Sequence, residues 1–277
     1  MNALILTGVV AVTLYPFLNI LARSFSSEEH IRAGDVQLWP VGFNLTTYDL
    51  VVSDGMFWRN YGNTVLYTVV GTVVSMIFTT MYAYVLSKRH LRGHGALVGI
   101  AVFTMFFSGG LIPNYILISE LGLKNSVWAL VLPNAISVFN LLVMRAFFEN
   151  LPRELEEAAE IDGLSTYGIL LRIVLPLSKA VIATMTLFYS VSYWNSWFGA
   201  FLYMDEREMM PVTVYLRNMI AGATGGASVG ADTEQMMEVA ANIQSVTIIL
   251  TALPILLVYP FVQRYFVSGV MLGAVKG

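Results

Sequence analysis

The chain has 277 residues, 57% of them hydrophobic and only 12% charged, about half the charged share of a soluble domain; its mean hydropathy is +0.69. A soluble globular enzyme is excluded. The net charge of −3 leaves no basic footprint for nucleic acid, and the absence of cysteine removes disulfides, thiolate metal sites and cysteine nucleophiles.

In chain order, six stretches carry no Asp, Glu, Lys, Arg or His: 1–22, 61–87, 95–119, 125–144, 180–204 and 239–263. Together they hold over half of the chain. A helix that crosses lipid needs roughly 20 predominantly apolar residues and satisfies its backbone groups within itself. The pattern predicts an all-α integral membrane protein, a single domain over 1–277 with six transmembrane helices. Residues 1–22 lack the basic start and small-residue cleavage site of a secretory signal and contain Tyr15-Pro16, so they are read as the first span.

Lys and Arg near the span ends set the orientation. Lys88, Arg89 and Arg92 crowd the link between spans two and three. Arg145, Arg153, Arg172 and Lys179 lie between four and five, and Arg264 and Lys276 follow six. The other six basic residues are spread over the opposite side. The denser side is expected to be cytoplasmic, with both termini inside.

The spans hold no Asp, Glu, Lys, Arg or His, which counts against a proton pump or an ion-driven symporter. The sequence has neither a Gly-x-x-x-x-Gly-Lys-Ser/Thr loop nor His-Glu-x-x-His. His30, His90 and His94 are read as loop residues, and His90 and His94, four apart, as flanking a membrane end rather than binding metal. No catalytic group and no metal site are predicted, and energy for uphill movement has to come from a partner.

The inner segment 150–176 is the best-marked part of the chain. Asn150 is expected to cap a short helix, Pro152 suits its first turn, and Glu154, Glu156 and Glu157 complement its positive end. Ala158 and Ala159 leave a low face that another helix can approach. Asp162-Gly163 predicts a stop with glycine in the left-handed conformation. Ser165 is placed to cap a second helix in which Ile169, Leu170, Ile173 and Val174 recur at helical spacing, and Pro176 ends or redirects it. By itself this is an interfacial helical hairpin between spans four and five.

Glu157-Ala158-Ala159, then Gly163 and Ile173-Val-Leu175-Pro176, resemble the EAA motif of ATP-binding-cassette (ABC) import permeases. The flanks are similar to the maltose-importer permease family of oligosaccharide importers. Ser24-Phe-Ser26, Leu38-Trp-Pro40, Asn63-Thr64, Ser108-Gly-Gly-Leu-Ile-Pro113 and Trp194-Asn195 resemble its LplC-like branch. The resemblance runs over nearly the whole chain. Leu164 and Ala180 depart from it, standing where alanine and proline are frequent, and the basic tail common before the first span is missing.

The resemblance implies a type I ABC importer permease of the bacterial inner (plasma) membrane. Its hairpin is a coupling helix seated in a groove of an ATPase subunit. Glu157 would pair with a basic group there, Ala158 and Ala159 would permit close approach, and Asp162 and Gly163 would shape the turn, with Leu175 and Pro176 closing the motif. ATP and magnesium would bind the partner, and this chain would hold no cofactor. The implied assembly is a second, different permease subunit, two ATPase subunits and an external solute-binding protein delivering an oligosaccharide. Acidic, uronide-type oligosaccharides are favoured by that branch.

Two readings stand for the outer segment 216–234, which includes Gly222, Thr224, Gly225 and Gly226: a flexible solvated linker, or a loop reaching the binding protein beside the Trp39-Pro40 loop. Two also stand for the polar residues of spans four and five. Asn134, Ser137 and Asn140, three apart on one face, and Tyr189, Ser192, Tyr193, Trp194, Asn195 and Trp197 have the aromatic faces and amides that bind sugars. The same residue types gather in interfacial belts and bond between helices. The rival classes are an ion-coupled or facilitative carrier and a permease of the same superfamily for another solute, such as an amino acid or phosphate.

Overall fold

The computed structural model describes residues 2–225, 242–258 and 260. Within them the chain is helix and connecting turn, with no strand. Helix α1 (Asn2–Ser24) is followed by the short α2 (Glu28–Ala33) and α3 (Thr46–Ser53), then the 33-residue α4 (Gly55–Ser87). Next come α5 (His94–Phe106), α6 (Leu111–Glu120), α7 (Val127–Val131) and α8 (Val138–Glu149). The hairpin is α9 (Arg153–Ile161) and α10 (Thr166–Ile169), continued by a π-helical turn and α11 (Leu175–Leu177). The rest is α12 (Lys179–Trp194), α13 (Phe198–Tyr203), α14 (Val212–Gly225) and α15 (Asn242–Val258).

Helices α1 and α4 are each long and apolar enough to cross a membrane. The expected spans three to five are not continuous helices. Helices α5 and α6 meet at 112°, and α7 with its following 3-10 turn meets α8 at 53°. The chain turns by 87° before α12, and α12 stops three residues short of α13. Gly109-Gly110 causes the first break, Gly110 adopting φ +91° where a side chain is disfavoured. Pro133 causes the second: it has no N–H to continue a helix and its ring crowds the preceding turn. An apolar, charge-free run reports that a segment lies in lipid, not that its helix is unbroken.

Three further expectations are corrected. Asn150 is not the cap of α9; it closes α8, its Nδ2 donating to the Ala146 carbonyl at 2.7 Å, and Pro152 stands at the α9 start. The segment 216–225 is not a linker but the body of α14, so Gly222, Thr224 and Gly225 are helical; Pro211 ahead of Val212 starts the helix, and the alanines at 221 and 223 support it. Gly226 lies outside the described residues. Nor are all the histidines loop residues: His30 is in α2 and His94 opens α5, where its Nε2 meets the Leu86 carbonyl at 2.9 Å.

The chain divides into two compact units. The first comprises Met1–Thr64 and Met210–Leu257, around Val51, Phe57, Val212, Leu216 and Val246. The Ser24, Ser26, Asn63 and Thr64 hydroxyls and amides knit it together. Ser24 accepts from the Tyr48 hydroxyl (2.9 Å), and Ser26 Oγ accepts the Val41 N–H (3.0 Å) while donating to the Ala22 carbonyl (2.7 Å). Thr64 Oγ1 accepts the Val212 N–H at 2.8 Å, and Asn63 Nδ2 donates to the Met210 carbonyl at 3.2 Å. The second unit is built on Val65–Met209, and its core joins Ala83, Leu86, Leu141, Met144, Phe148, Ile169, Val174 and Met185.

Candidate functional site

The hairpin lies in the second unit, and its shape comes from its own sequence. Gly163 has φ +83°. The Leu164 N–H reaches back to the Ala159 carbonyl and the Gly163 N–H to that of Glu160, each at 3.0 Å, which closes the carbonyl end of α9. Two residues on, Ser165 Oγ accepts the Gly168 N–H at 3.3 Å and starts α10. Ile169, Leu170 and Val174 are buried in the core of the unit and Ile173 is partly so, so the return arm is anchored by the periodicity seen in the sequence. Pro176 lies within α11, and the redirection falls at Ser178.

This anchoring turns one edge of the hairpin outward. Glu157, Ala158, Asp162, Gly163 and Pro176 are exposed, as are Ile161 (86%), Tyr167 and Leu171. Ala159 is buried and Leu175 partly buried, so of the two alanines only Ala158 offers a low outer face. Glu157 forms no ion pair among the described residues. Its neighbour Glu156 is taken up within the chain: its carboxylate pairs with Lys88 and accepts from the Tyr84 hydroxyl at 3.3 Å. Beside it, Arg89 and Arg145 both bond Glu149, each at 2.8 Å. Lys88, Arg89, Glu149, Glu156 and Glu157 line a cleft of about 390 Å³ between the end of α4 and the α8–α9 corner. The members of the Lys88–Glu156 and Arg89–Glu149 pairs lie 68 and 60 residues apart, out of reach of local sequence patterns.

The polar residues of spans four and five divide into two sets. Asn134, Ser137 and Asn140 do not share a face, because Pro133 breaks the helix they were assigned to: Asn134 ends the 3-10 turn, Ser137 caps α8, and Asn140 is buried in its first turn. Two phenols from α12 seal that break. The Tyr193 hydroxyl donates toward the Asn134 and Val131 carbonyls at 3.3 and 3.4 Å, and the Tyr189 hydroxyl accepts the Ser137 N–H at 2.9 Å. Helix α4 holds both phenols, through Ser75 to Tyr193 (2.9 Å) and Thr79 to Tyr189 (2.6 Å). Gly71 makes room, since a Cβ there would lie 2.7 Å from the Tyr193 ring. Tyr193, Trp194 and Asn140 are therefore interior residues, while Asn134, Ser192, Asn195 and Trp197 remain exposed.

The connection between spans three and four is tied to the end of α13. Lys124 donates to Asp205 at 2.9 Å and to the Tyr115 hydroxyl at 3.0 Å, and these two bonds hold its ammonium above the usual lysine value. Asn125, at φ +54°, donates its N–H to the Tyr203 carbonyl and accepts the Asp205 N–H on its side chain.

A helical, charge-free body with an anchored, outward-edged hairpin is the build of a type I permease, the membrane subunit of an ABC importer. Over residues 11–272 the sequence matches the family described as "Binding-protein-dependent transport system inner membrane component", and the chain belongs to that family, as a multi-pass protein of the bacterial inner membrane. Its subunits transport and are not enzymes. The chain is 44% identical to Protein LplC of Bacillus subtilis over 276 residues, covering all of this chain and 94% of that one. It is 40% identical to the polygalacturonan/rhamnogalacturonan transport system permease protein YtcP of the same organism, covering 96% and 93%. Among solved structures it is similar to a chain of a bacterial ABC transporter involved in the import of the acidic polysaccharide alginate. That similarity has a TM-score of 0.85 and 34% identity over 96% of this chain and 95% of that one.

Proposed function

We propose that this chain is the permease subunit of an importer for acidic, uronide-type oligosaccharides. The single observation that carries the transport role is the hairpin: an exposed edge of Glu157, Ala158 and Gly163 on two arms anchored in the transmembrane core. The spans contain no Lys or Arg, so the acidic substrate class rests on the named relatives. It does not rest on charge in the pathway.

In this reading the hairpin is the coupling helix and lies on the cytoplasmic side with both termini. Glu157 pairs with a basic group of an ATPase subunit, Ala158 admits close approach, and the rigid turn at Gly163 carries ATPase closure into α8 and α12 as a rocking motion. ATP and magnesium bind the ATPase, and this chain holds no cofactor. The assembly contains a second, different permease subunit, two ATPase subunits and an external binding protein that presents the sugar, with α14 and Trp39 facing it. Asn134, Asn195 and Trp197 are the exposed residues suited to line the sugar's path, the amides to bond hydroxyls and the indole to stack on a ring.

Two measurements test this. Glu157→Lys puts like charges together in a desolvated groove, where losing one partner of a buried pair costs about 3–5 kcal/mol; ATPase retention in a pull-down should fall at least tenfold at unchanged membrane yield. Full retention overturns the coupling assignment. A thermal-shift screen of the cognate binding protein should show stabilisation by oligogalacturonides or oligoalginates and none by neutral maltodextrins; the reverse pattern overturns the substrate class.

A further inference from the structure

We propose that Lys88, Glu156 and Glu149 are positioning residues: they clamp the coupling hairpin to the end of α4, so that motion of the hairpin becomes motion of the second span. The inference rests on the coupling reading above and concerns the acids that tie the hairpin back to α4, not Glu157, which would meet an ATPase.

Lys88 and Arg89 are adjacent and follow directly on Ser87, the last residue of α4. They reach two acids that bracket the α8–α9 corner: Glu149 is the last residue of α8, and Glu156 lies one turn into α9. Both carboxylates are largely withdrawn from solvent, at 14% and 15% side-chain exposure. Each has two partners. Glu156 is held by Lys88 and Tyr84, and Glu149 by Arg89 and Arg145. Tyr84 completes the clamp from α4 itself, its ring lying 4.6 Å below the Lys88 ammonium and packing edge-on against Phe148 of α8 at 6.4 Å.

The link between α8 and α9 is only the three residues 150–152 and lies outside both helices. Cross-ties on both sides of it turn α8, α9 and the end of α4 into one body. Helix α4 has 33 residues, about 50 Å at 1.5 Å per residue, so it carries a displacement of its end across the whole hydrocarbon layer. Glu156 and Glu157 then have separate tasks although they are neighbours beside one cleft: Glu157 is exposed and left for the partner, and Glu156 is taken up by Lys88 and Tyr84.

The test uses the intact complex in proteoliposomes. The readout is the ratio of ATP hydrolysis with the cognate binding protein to hydrolysis without it. Glu156→Gln and Lys88→Met should each lower that ratio at least fivefold, while ATPase retention stays within twofold of the unmodified complex. The charge-swapped double variant Lys88→Glu with Glu156→Lys should return the ratio to within twofold. Glu149→Gln should lower it less, because Arg89 is two-thirds exposed. An unchanged ratio in both single variants, or a swap that restores nothing, overturns the clamp. Retention that falls in step with the ratio also overturns it, since Glu156 would then belong to the docking face. Glu157→Lys, run in parallel, tests the coupling reading itself through retention, so the two ideas fail by different measurements.

Discussion

The turn at 162–165 and the break at 132–137 both interrupt a helical path, and they close the free backbone ends in opposite ways. In the hairpin the closing groups are neighbours in sequence: Gly163 supplies the left-handed residue, Leu164 returns to Ala159, and Ser165 caps the next helix. In the fourth span they come from another helix, with Tyr193 reaching carbonyls 59 and 62 residues away and Tyr189 an N–H 52 residues away. Solvent satisfies what a local cap leaves over at an exposed turn. Within a lipid-embedded segment no water is at hand, and each freed group needs a protein partner.

The contrast makes the seal of the break costlier to disturb than the turn. Gly71→Leu is the most severe challenge. Its Cβ alone would sit 2.7 Å from the Tyr193 ring, so the ring has to leave and take its bonds with it. Overpacking costs about 1–3 kcal/mol, and adding the lost bonds gives a loss of about 3 kcal/mol. At roughly 2–4 °C per kcal/mol the midpoint in detergent should fall by roughly 6–12 °C; a fall under about 2 °C would break the comparison.

Gly163→Val comes next. A Cβ there meets nothing within 4 Å, so the whole penalty is backbone strain at φ +83°, about 1–2 kcal/mol. Gly163→Asn should cost clearly less, since asparagine tolerates the left-handed region. Equal midpoints for the two variants would mean that the turn relaxes and that its shape is not dictated by the glycine.

Tyr189→Phe is the mildest of the three. It keeps the ring and removes one hydroxyl, together with the bonds to Thr79 and the Ser137 N–H. Hydrogen bonds between membrane helices average about 0.6 kcal/mol and reach about 1.7, so the midpoint should drop by a few degrees at most. Hydrogen exchange at the Ser137 amide should rise at the same time. Unchanged exchange there would show that the phenol does not seal the break.

The turn of the hairpin at Gly163 and its Ser165 cap were legible because such signals act over a few positions, whereas the α8–α9 corner, where Asn150 closes α8, was not. The charge-free runs mark segments suited to lipid for the same kind of reason: burial in hydrocarbon excludes charge at every residue of the run. Neither signal locates a break. Pro133 was visible in the sequence, but whether it kinks, caps or breaks depends on what receives the freed carbonyls. The glycines at 222 and 225 looked like a linker, yet α14 carries them, because composition alone does not count the helix that leads into them.

What the sequence determined by itself is the class of molecule and the one segment whose geometry is local: six charge-free apolar runs and the turn at Gly163. Only the tertiary structure decided which polar side chains are spent on the protein itself. Tyr193 and Asn134 both look suited to a sugar; one is consumed in sealing a break and the other stays exposed. Glu156 and Glu157 are adjacent acids of the same motif, and packing pairs one with Lys88 and leaves the other exposed. The reason is range. Hydrophobicity, charge and capping act on a residue and its near neighbours, whereas the partner of a phenol or carboxylate is chosen by which distant helix packs beside it.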